Sequence, residues 1–447
     1  MGITKSIIVL DFAPIDLDED DSIENFSIAR YIHIRAGDPD DYAILKPTAP
    51  YIKKKRRDED KDKFSNPVRV RSTVVMTPFV NLLGRYPIPV AVQTFAPNEK
   101  EAMRKMDNFF RGKGSYFDET EKVDYSSCLT IDNYATCMQL LLWIEEVQMN
   151  VDIKSYDLVD TPLMREGRVH YKLLVPGLAE NRPSVLKGDT ILIHVRGGSN
   201  FTGLVHRTTQ EYAIMDLPKS FKHAYIDGLR VDVRFTFSRT TLRTSHQALA
   251  VMNEEKFLLN IMIFPQLLDI RDNPPLTPLN KRIIRGSQLR FYNRTLNQEQ
   301  QSAVVGIVQA IARPAPYLIY GPPGTGKTVT LVESILQTMN ATGSDPRAKI
   351  LVVAPSNMAV DVVTERLSPF VTPREMLRIV AFSRDKASIP DGIIEYTNFD
   401  EEQDCFITPN PSTVKQYKLV IATISSGGKL PNQGILDHFT HVFIGAC

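Results

Sequence analysis

Cysteine is scarce: 447 residues hold 4, at positions 128, 137, 405 and 447, and no two sit at metal-ligand spacing. So few thiols exclude a disulfide framework and fit a reducing, intracellular compartment. Long hydrophobic runs are missing too. The longest uncharged, mostly apolar stretch, Ser302 to Ala312, falls well short of the ~18 residues needed to cross a bilayer, so no membrane span is expected. Near the start, Lys5 is followed only by Ile7-Ile8-Val9-Leu10 before Asp11, too little for a secretion signal. Met1-Gly2 with Ser6 matches a short myristoylation pattern, but SIIVLDF reads as a β-strand. An excess of one charge sign is also absent. Against 52 acidic residues stand 53 Lys and Arg, so net charge names no partner, and nucleic-acid binding has to be argued locally.

What is present is an ordinary folding composition, 43% hydrophobic and 23% charged, in a chain long enough for two or three domains. Residues 1–95 read as a β-rich domain from SIIVLDF, YIHIR and VRVRSTVVMTPFV. Inside it, Lys53-Lys54-Lys55-Arg56-Arg57 and the acidic run that follows have almost nothing apolar to bury and read as a solvated loop; a nuclear-import signal or an RNA-contacting patch is the rival reading. Residues 96–160 carry apolar positions at helical spacing over Asn98 to Arg111 and Thr130 to Val151, the second with apolar residues on more than one face. Residues 161–240 hold VHYKLLV, DTILIHV, EYAIMDL and LRVDVRFTF between turn residues, which predicts a small antiparallel barrel. Residues 241–290 return to helix over Leu242 to Met252 and continue into the Pro-rich connection Asp272 to Pro278. From 291 to 447 helices alternate with short, continuously apolar strands, YLIYG, KILVVAP, LRIVAF, KLVIAT and HVFIG, the pattern of a parallel sheet covered on both faces.

The chemistry concentrates in Gly321-Pro322-Pro323-Gly324-Thr325-Gly326-Lys327-Thr328. A match to GxxxxGK[ST] arises by chance in about one chain in a hundred of this length. Here Tyr317 to Tyr320 is expected as the strand before it and Val329 to Met339 as the helix after it, the context in which backbone N–H groups and a helix N-terminus face an anion. The glycines allow close backbone approach, Lys327 reaches the β- and γ-phosphates, and the Thr328 hydroxyl ligates Mg²⁺. ATP with Mg²⁺ is the expected cofactor pair. Gln300, at the start of the preceding helix, offers the donor and acceptor that reading an adenine edge requires. Pro355-Ser356-Asn357 after KILVVA, and Thr423 and Ser425 after KLVIA, put small polar groups where open α/β sheets place ligands, suited to RNA phosphates or riboses. Helix capping accounts equally well for them.

In this order and spacing the segments resemble the superfamily 1 helicases of the up-frameshift-like group: GPPGTGKT looks like motif I, Gln300 like the Q-motif glutamine, APSNMAVD like motif Ia and IATISSGG like the next nucleic-acid-contacting motif. LGRYPIP, IEEVQMNVDIKSYDL, VPGLAENRPSVLKGD and YIDGLRVDVRFTFSRTTLRTSHQAL are similar to its Armitage-like branch. The resemblance implies a multidomain α/β fold, a P-loop RecA-like parallel sheet preceded by a β-barrel on a helical stalk and a β-rich N-terminal domain. It also implies an ATP-dependent RNA helicase, unwinding 5′ to 3′, that acts on single-stranded RNA in small-RNA (piRNA-type) silencing with Argonaute/Piwi-class partners, as a cytoplasmic monomer found in ribonucleoprotein granules.

The chain departs from that pattern after His441-Val442-Phe443-Ile444, where the family places an Asp-Glu pair that holds Mg²⁺ and positions water. Here Gly445, Ala446 and Cys447 follow. The expectation is therefore a truncated form, lacking the Walker B acids and the second RecA-like domain, that binds ATP and RNA without turnover. Two rivals stay open: a non-catalytic RNA- or protein-binding scaffold, and a DNA helicase or non-translocating P-loop ATPase.

Overall fold

The computed structural model describes residues 2–12, 26–36, 63–70, 80–98, 101, 129–180, 183–264, 289–343 and 345–445. The basic run at 53–57, most of the helix expected over 98–111 and the Pro-rich connection at 272–278 lie outside these residues. The chain divides into two compact units, 1–55 and 56–447. In the first, β1 (Gly2–Phe12) and β2 (Phe26–Ala36) pair antiparallel without a break, from Gly2 opposite Ala36 to Phe12 opposite Phe26. These are the strands the β-branched runs SIIVLDF and YIHIR call for.

Within the second unit, residues 80–95 form no strand, although from sequence they fall in the β-rich stretch. Residues 80–89 run without regular structure into a short helix, α1 (Val90–Phe95). α1 packs on α2 (Tyr134–Lys154) through Val92, Phe95, Cys137, Leu140 and Trp143. The apolar positions of α2 cover more than one face because α3 (Thr240–Glu254) takes another. Between α2 and α3 the chain makes a closed barrel with strand order β3-β4-β7-β6-β5-β8. The strands are β3 (Leu158–Glu166), β4 (His170–Leu174), β5 (Thr190–Val195), β6 (Asn200–Thr208), β7 (Tyr212–Asp216) and β8 (Arg230–Phe235). Inward positions alternate as the pleat requires, so Leu173, Ile193, Val205, Met215 and Val233 fill the interior. Two of these strands were not expected: Pro162 lies within β3, and Gly203 and Asn200 weaken the pattern in β6. Gly203 is small for a reason, since a Cβ there would stand 2.8 Å from the Met215 sulfur inside the barrel.

Residues 63–70 lie along the barrel wall: Val68 bridges Phe201, and Lys63 bonds the buried Asp232 at 2.5 Å. Burial is the strongest influence on the Asp232 carboxyl and raises it, but Lys63, the Asp160 N–H and Arg196 together outweigh it and hold the group below its ordinary range.

The P-loop domain is a parallel sheet of order β10-β11-β9-β12, built from β9 (Ile350–Ala354), β10 (Met376–Ile379), β11 (Leu419–Thr423) and β12 (His441–Ile444). Helices α4 (Gln298–Val308), α5 (Lys327–Thr342) and α6 (Asn357–Leu367) belong to it. Val352, Ile421, Leu336, Val360 and Leu367 meet in its main core, so four of the five expected strands and all the helices around them form as the apolar runs demand. The exception is Tyr317 to Tyr320, expected as a buried strand. It is irregular, with Leu318 81% and Tyr320 97% exposed. An apolar run becomes a strand only when a neighbour pairs with its N–H and C=O groups, and none does here among the described residues.

Candidate nucleotide and nucleic-acid site

The expected phosphate loop is shaped by its glycines. Gly324 and Gly326 hold left-handed φ values of 84° and 82°, and Gly326 caps α5, whose first residue is Lys327. A side chain at Gly326 would be doubly opposed, by that φ and by the Gln300 Nε2, 2.5 Å from a Cβ placed there. The four unpaired N–H groups of the 16-residue helix thus open onto the loop. The Lys327 Nζ donates to the carbonyl oxygens of Gly321 at 2.7 Å and Pro322 at 2.8 Å, folding across the cradle where phosphate oxygens would otherwise take its protons. Thr325 Oγ1 donates to Pro322 O at 2.9 Å, closing the loop on itself. Thr328, in the first turn, is half-buried beside it. Left-handed glycines, a free helix N-terminus and an ammonium that needs acceptors fit a nucleotide's phosphates. Lys327 would hold β- and γ-oxygens, and Thr328 a Mg²⁺ that neutralises their charge.

Gln300 does more than its sequence position announces. Asn297 and Gln300 form a reciprocal capping box at the start of α4: Gln300 N donates to Asn297 Oδ1 at 2.8 Å, and Asn297 N donates to Gln300 Oε1 at 3.0 Å. The remaining amide donor reaches the Thr325 carbonyl at 3.0 Å. In this conformation the side chain braces the phosphate loop, and both ends of its amide are engaged.

Pro355, Ser356 and Asn357 follow β9, while Thr423 and Ser425 stand at the end of the adjacent β11, with Thr423 the register partner of Ala354. The structure therefore brings these residues to one sheet edge. Their side chains also have local work. Ser356 Oγ accepts from Ala359 N at 3.1 Å and caps α6, and Thr423 Oγ1 accepts from Ser426 N at 3.3 Å. Asn357 Oδ1 accepts from Arg378 Nη2 at 3.0 Å, and Ser425 Oγ lies 3.3 Å from Thr241 Oγ1 on α3. Pro355 and Met358, 77% exposed, stand open at this edge.

Two sets of residues went unread. Arg378 on β10 is wholly buried; it donates to Asp361 at 3.1 Å and to Asn357, and Asp361 also accepts from Arg384 at 2.6 Å. Burial pushes the Arg378 guanidinium down, with Asp361 opposing. An arginine inside the apolar strand LRIVAF is the signal that could have exposed it, because a buried charge needs partners. The second set joins three distant segments. Arg239, at the N-cap of α3, pairs with the buried Glu146 of α2, Nη2 to Oε2 at 3.1 Å, and donates to the Tyr86 carbonyl at 2.8 Å; Arg243 donates to Gly84 O at 2.7 Å. The buried ring of His246 stacks between Tyr86 and Trp143, at 5.3 and 5.0 Å between ring centres. LGRYPIP is thus the strap that two arginines clamp. Just before it, Val80 and Asn81 donate backbone N–H groups to Asn432 O at 2.8 and 3.1 Å, fastening this segment to the P-loop domain.

A phosphate loop between an α4 brace and the α5 N-terminus, beside a parallel sheet, defines a P-loop nucleotide-binding protein. Matches to known families add the particulars. An AAA domain model matches residues 295–398, the helicase MOV-10 β-barrel domain 156–235, and the helicase MOV-10 helical domain 83–155. The chain is 37% identical over 375 residues to mov-10-B.2 of Danio rerio, covering 81% of this chain and 35% of that protein. It is 35% identical over 326 residues to MOV-10 of Gallus gallus, covering 71% and 32%. It is 30% identical over 346 residues to armi of Drosophila melanogaster, named as an RNA helicase, covering 70% and 28%. The chain belongs to the MOV-10 and Armitage-like family of up-frameshift-type helicases. It spans about a third of the length of the curated relatives it matches. Among the described residues no helix is long and apolar enough to cross a membrane.

Proposed function

We propose that residues 1–447 supply the accessory domains and part of the motor of an ATP-dependent RNA helicase. The phosphate loop carries this reading: left-handed Gly324 and Gly326 open the N-terminus of α5, and Lys327 has its ammonium aimed across the cradle. ATP with Mg²⁺ binds at Gly321 to Thr328, and single-stranded RNA crosses the sheet edge at Pro355, Ser356, Asn357, Thr423 and Ser425. Backbone groups and the open Pro355 face meet the sugar–phosphate chain there, since Ser356 and Thr423 already cap helices and the Asn357 and Ser425 oxygens are engaged by Arg378 and Thr241. Kinship to the Armitage-like branch extends the reading to 5′-to-3′ movement, to silencing guided by small RNAs with Argonaute/Piwi-class partners, and to cytoplasmic ribonucleoprotein granules.

Phosphoryl transfer needs a metal-holding carboxylate and an arginine that meets the transition state, the arginine being worth about 10³ to 10⁵ in rate. After β12 this sequence reads Gly445-Ala446-Cys447. Gly445 and Ala446 stand where the resembled helicases carry the metal-holding acidic pair, so residues 1–447 are read as holding nucleotide without turning it over, with a non-catalytic RNA- or protein-binding scaffold as the rival reading. Equilibrium binding of a fluorescent ATP analogue, weakened by Lys327→Ala, with no phosphate release, is the expected result. Phosphate release that Lys327→Ala removes would overturn the no-turnover reading. Titrating RNA and DNA single strands of one sequence separates an RNA from a DNA motor: equal affinity refutes the RNA assignment, because choosing RNA requires a contact to the 2′-OH.

A further inference from the structure

The barrel carries a polar cluster outside the strand-interior pattern and remote in sequence from the phosphate loop. His170 opens β4, Asp216 closes β7, and His206 falls in β6 where the register shifts between Val205 and Arg207. β7 pairs with both β4 and β6, so the three side chains meet on the outer wall, next to the inward Tyr171, Met215 and Val205. β-Bulges re-aim side chains in this way, and His206 is exposed as a result. The His170 Nδ1 lies 2.6 Å from Asp216 Oδ1, and the two imidazoles stack at 4.5 Å between centres and 19° between planes.

We infer that His170, His206 and Asp216 form a binding site for a divalent transition-metal ion of the zinc class. One donor atom from each residue lies within 4.8 Å of the others. Zinc bonds of about 2.0–2.2 Å put neighbouring ligand atoms of a tetrahedron roughly 3.3–3.6 Å apart, so side-chain rotations of about 1 Å complete the set. Two imidazoles with one carboxylate suit zinc, cobalt or nickel and are wrong for Ca²⁺ or Mg²⁺, which take oxygen donors. The fourth position is open to water, as His206 faces solvent. Neighbouring cations are engaged elsewhere: Arg207 and Lys172 on Glu166 at 3.0 and 3.7 Å, and Lys187 over the Phe382 ring at 4.5 Å. Because Phe382 belongs to the P-loop domain, an ion here would tie β4, β6 and β7 together beside a contact between barrel and motor.

The test is a Co²⁺ titration of the chelator-treated 447-residue chain, followed by its visible absorption, with Zn²⁺ and then Mg²⁺ as competitors. The site predicts one equivalent with the intense visible bands of low-coordinate cobalt, displaced by Zn²⁺ and not by Mg²⁺. That equivalent is lost in His206→Gln and again in Asp216→Asn, each with an unchanged circular dichroism spectrum. Other histidines and the thiols can also take metal, so the variants decide. An equivalent of unchanged spectrum and affinity in both variants, or no bound cobalt at millimolar metal, overturns the site. His206 is exposed, so its replacement leaves the fold intact even where Asp216→Asn does not.

Discussion

The barrel and the P-loop sheet solve the edge problem of β-structure differently. Closing β3-β4-β7-β6-β5-β8 into a ring pairs every strand on both sides, and the interior is filled by its own alternating residues. The parallel sheet is open: Val442 and Ile444 of β12 are 56% and 65% exposed, and the apolar approach to the phosphate loop pairs with nothing among the described residues. A closed β-layer completes itself from one short stretch of chain, whereas an open α/β layer places its ligands at strand ends and leaves its edges to whatever adjoins them.

The comparison breaks most visibly through the barrel core. Ile193→Ala, at a fully buried position, costs about 2–5 kcal/mol in urea unfolding, because the closed wall cannot collapse into the void. Nucleotide affinity of the folded fraction stays unchanged. Lys327→Ala does the reverse. It weakens ATP binding by about 1.5–3 kcal/mol, the worth of hydrogen bonds to a charged group, and leaves the unfolding midpoint in place; a shifted midpoint would mean that the lysine's bonds to Gly321 and Pro322 hold the fold.

Acid sharpens the contrast more gently. Asp232 is held below its ordinary range, so its contribution to barrel stability is present above about pH 4 and lost as the pH falls through the lowered value. Lys63→Met removes about 1 kcal/mol at neutral pH, a discounted figure because Lys63 is partly exposed, and flattens the acid limb of the stability curve. Smallest of all is Tyr320→Ser. At 97% exposure it changes stability by less than about 0.5 kcal/mol, and a loss of several kcal/mol would show that Tyr320 is buried as the strand reading expects.

Much of this was legible because the signals are local. Strands β9, β10, β11 and β12 are continuous apolar runs bounded by turns, and the phosphate loop needs only eight consecutive residues to be recognised. The barrel's existence was readable from four of its strands, while β3 and β6 hid behind Pro162 and Gly203. What stayed hidden depends on pairs far apart in sequence. Glu146 and Arg239 lie 93 residues apart, and Tyr86 stacks on His246 across 160. No periodicity reports such partners. The same holds for the strand expected at Tyr317, whose apolarity was real but whose pairing was not its own to supply.

By itself, then, the sequence determined that glycine, lysine and threonine stand in the order a phosphate requires, and that their neighbours alternate between helix and buried strand. Only the tertiary structure decided what those groups touch. It turned Gln300 into a brace for the loop, gave Ser356 and Thr423 to helix caps, and set His170, His206 and Asp216 side by side. The reason is physical: backbone preferences act between neighbours in the chain, while hydrogen bonds and packing act between neighbours in space.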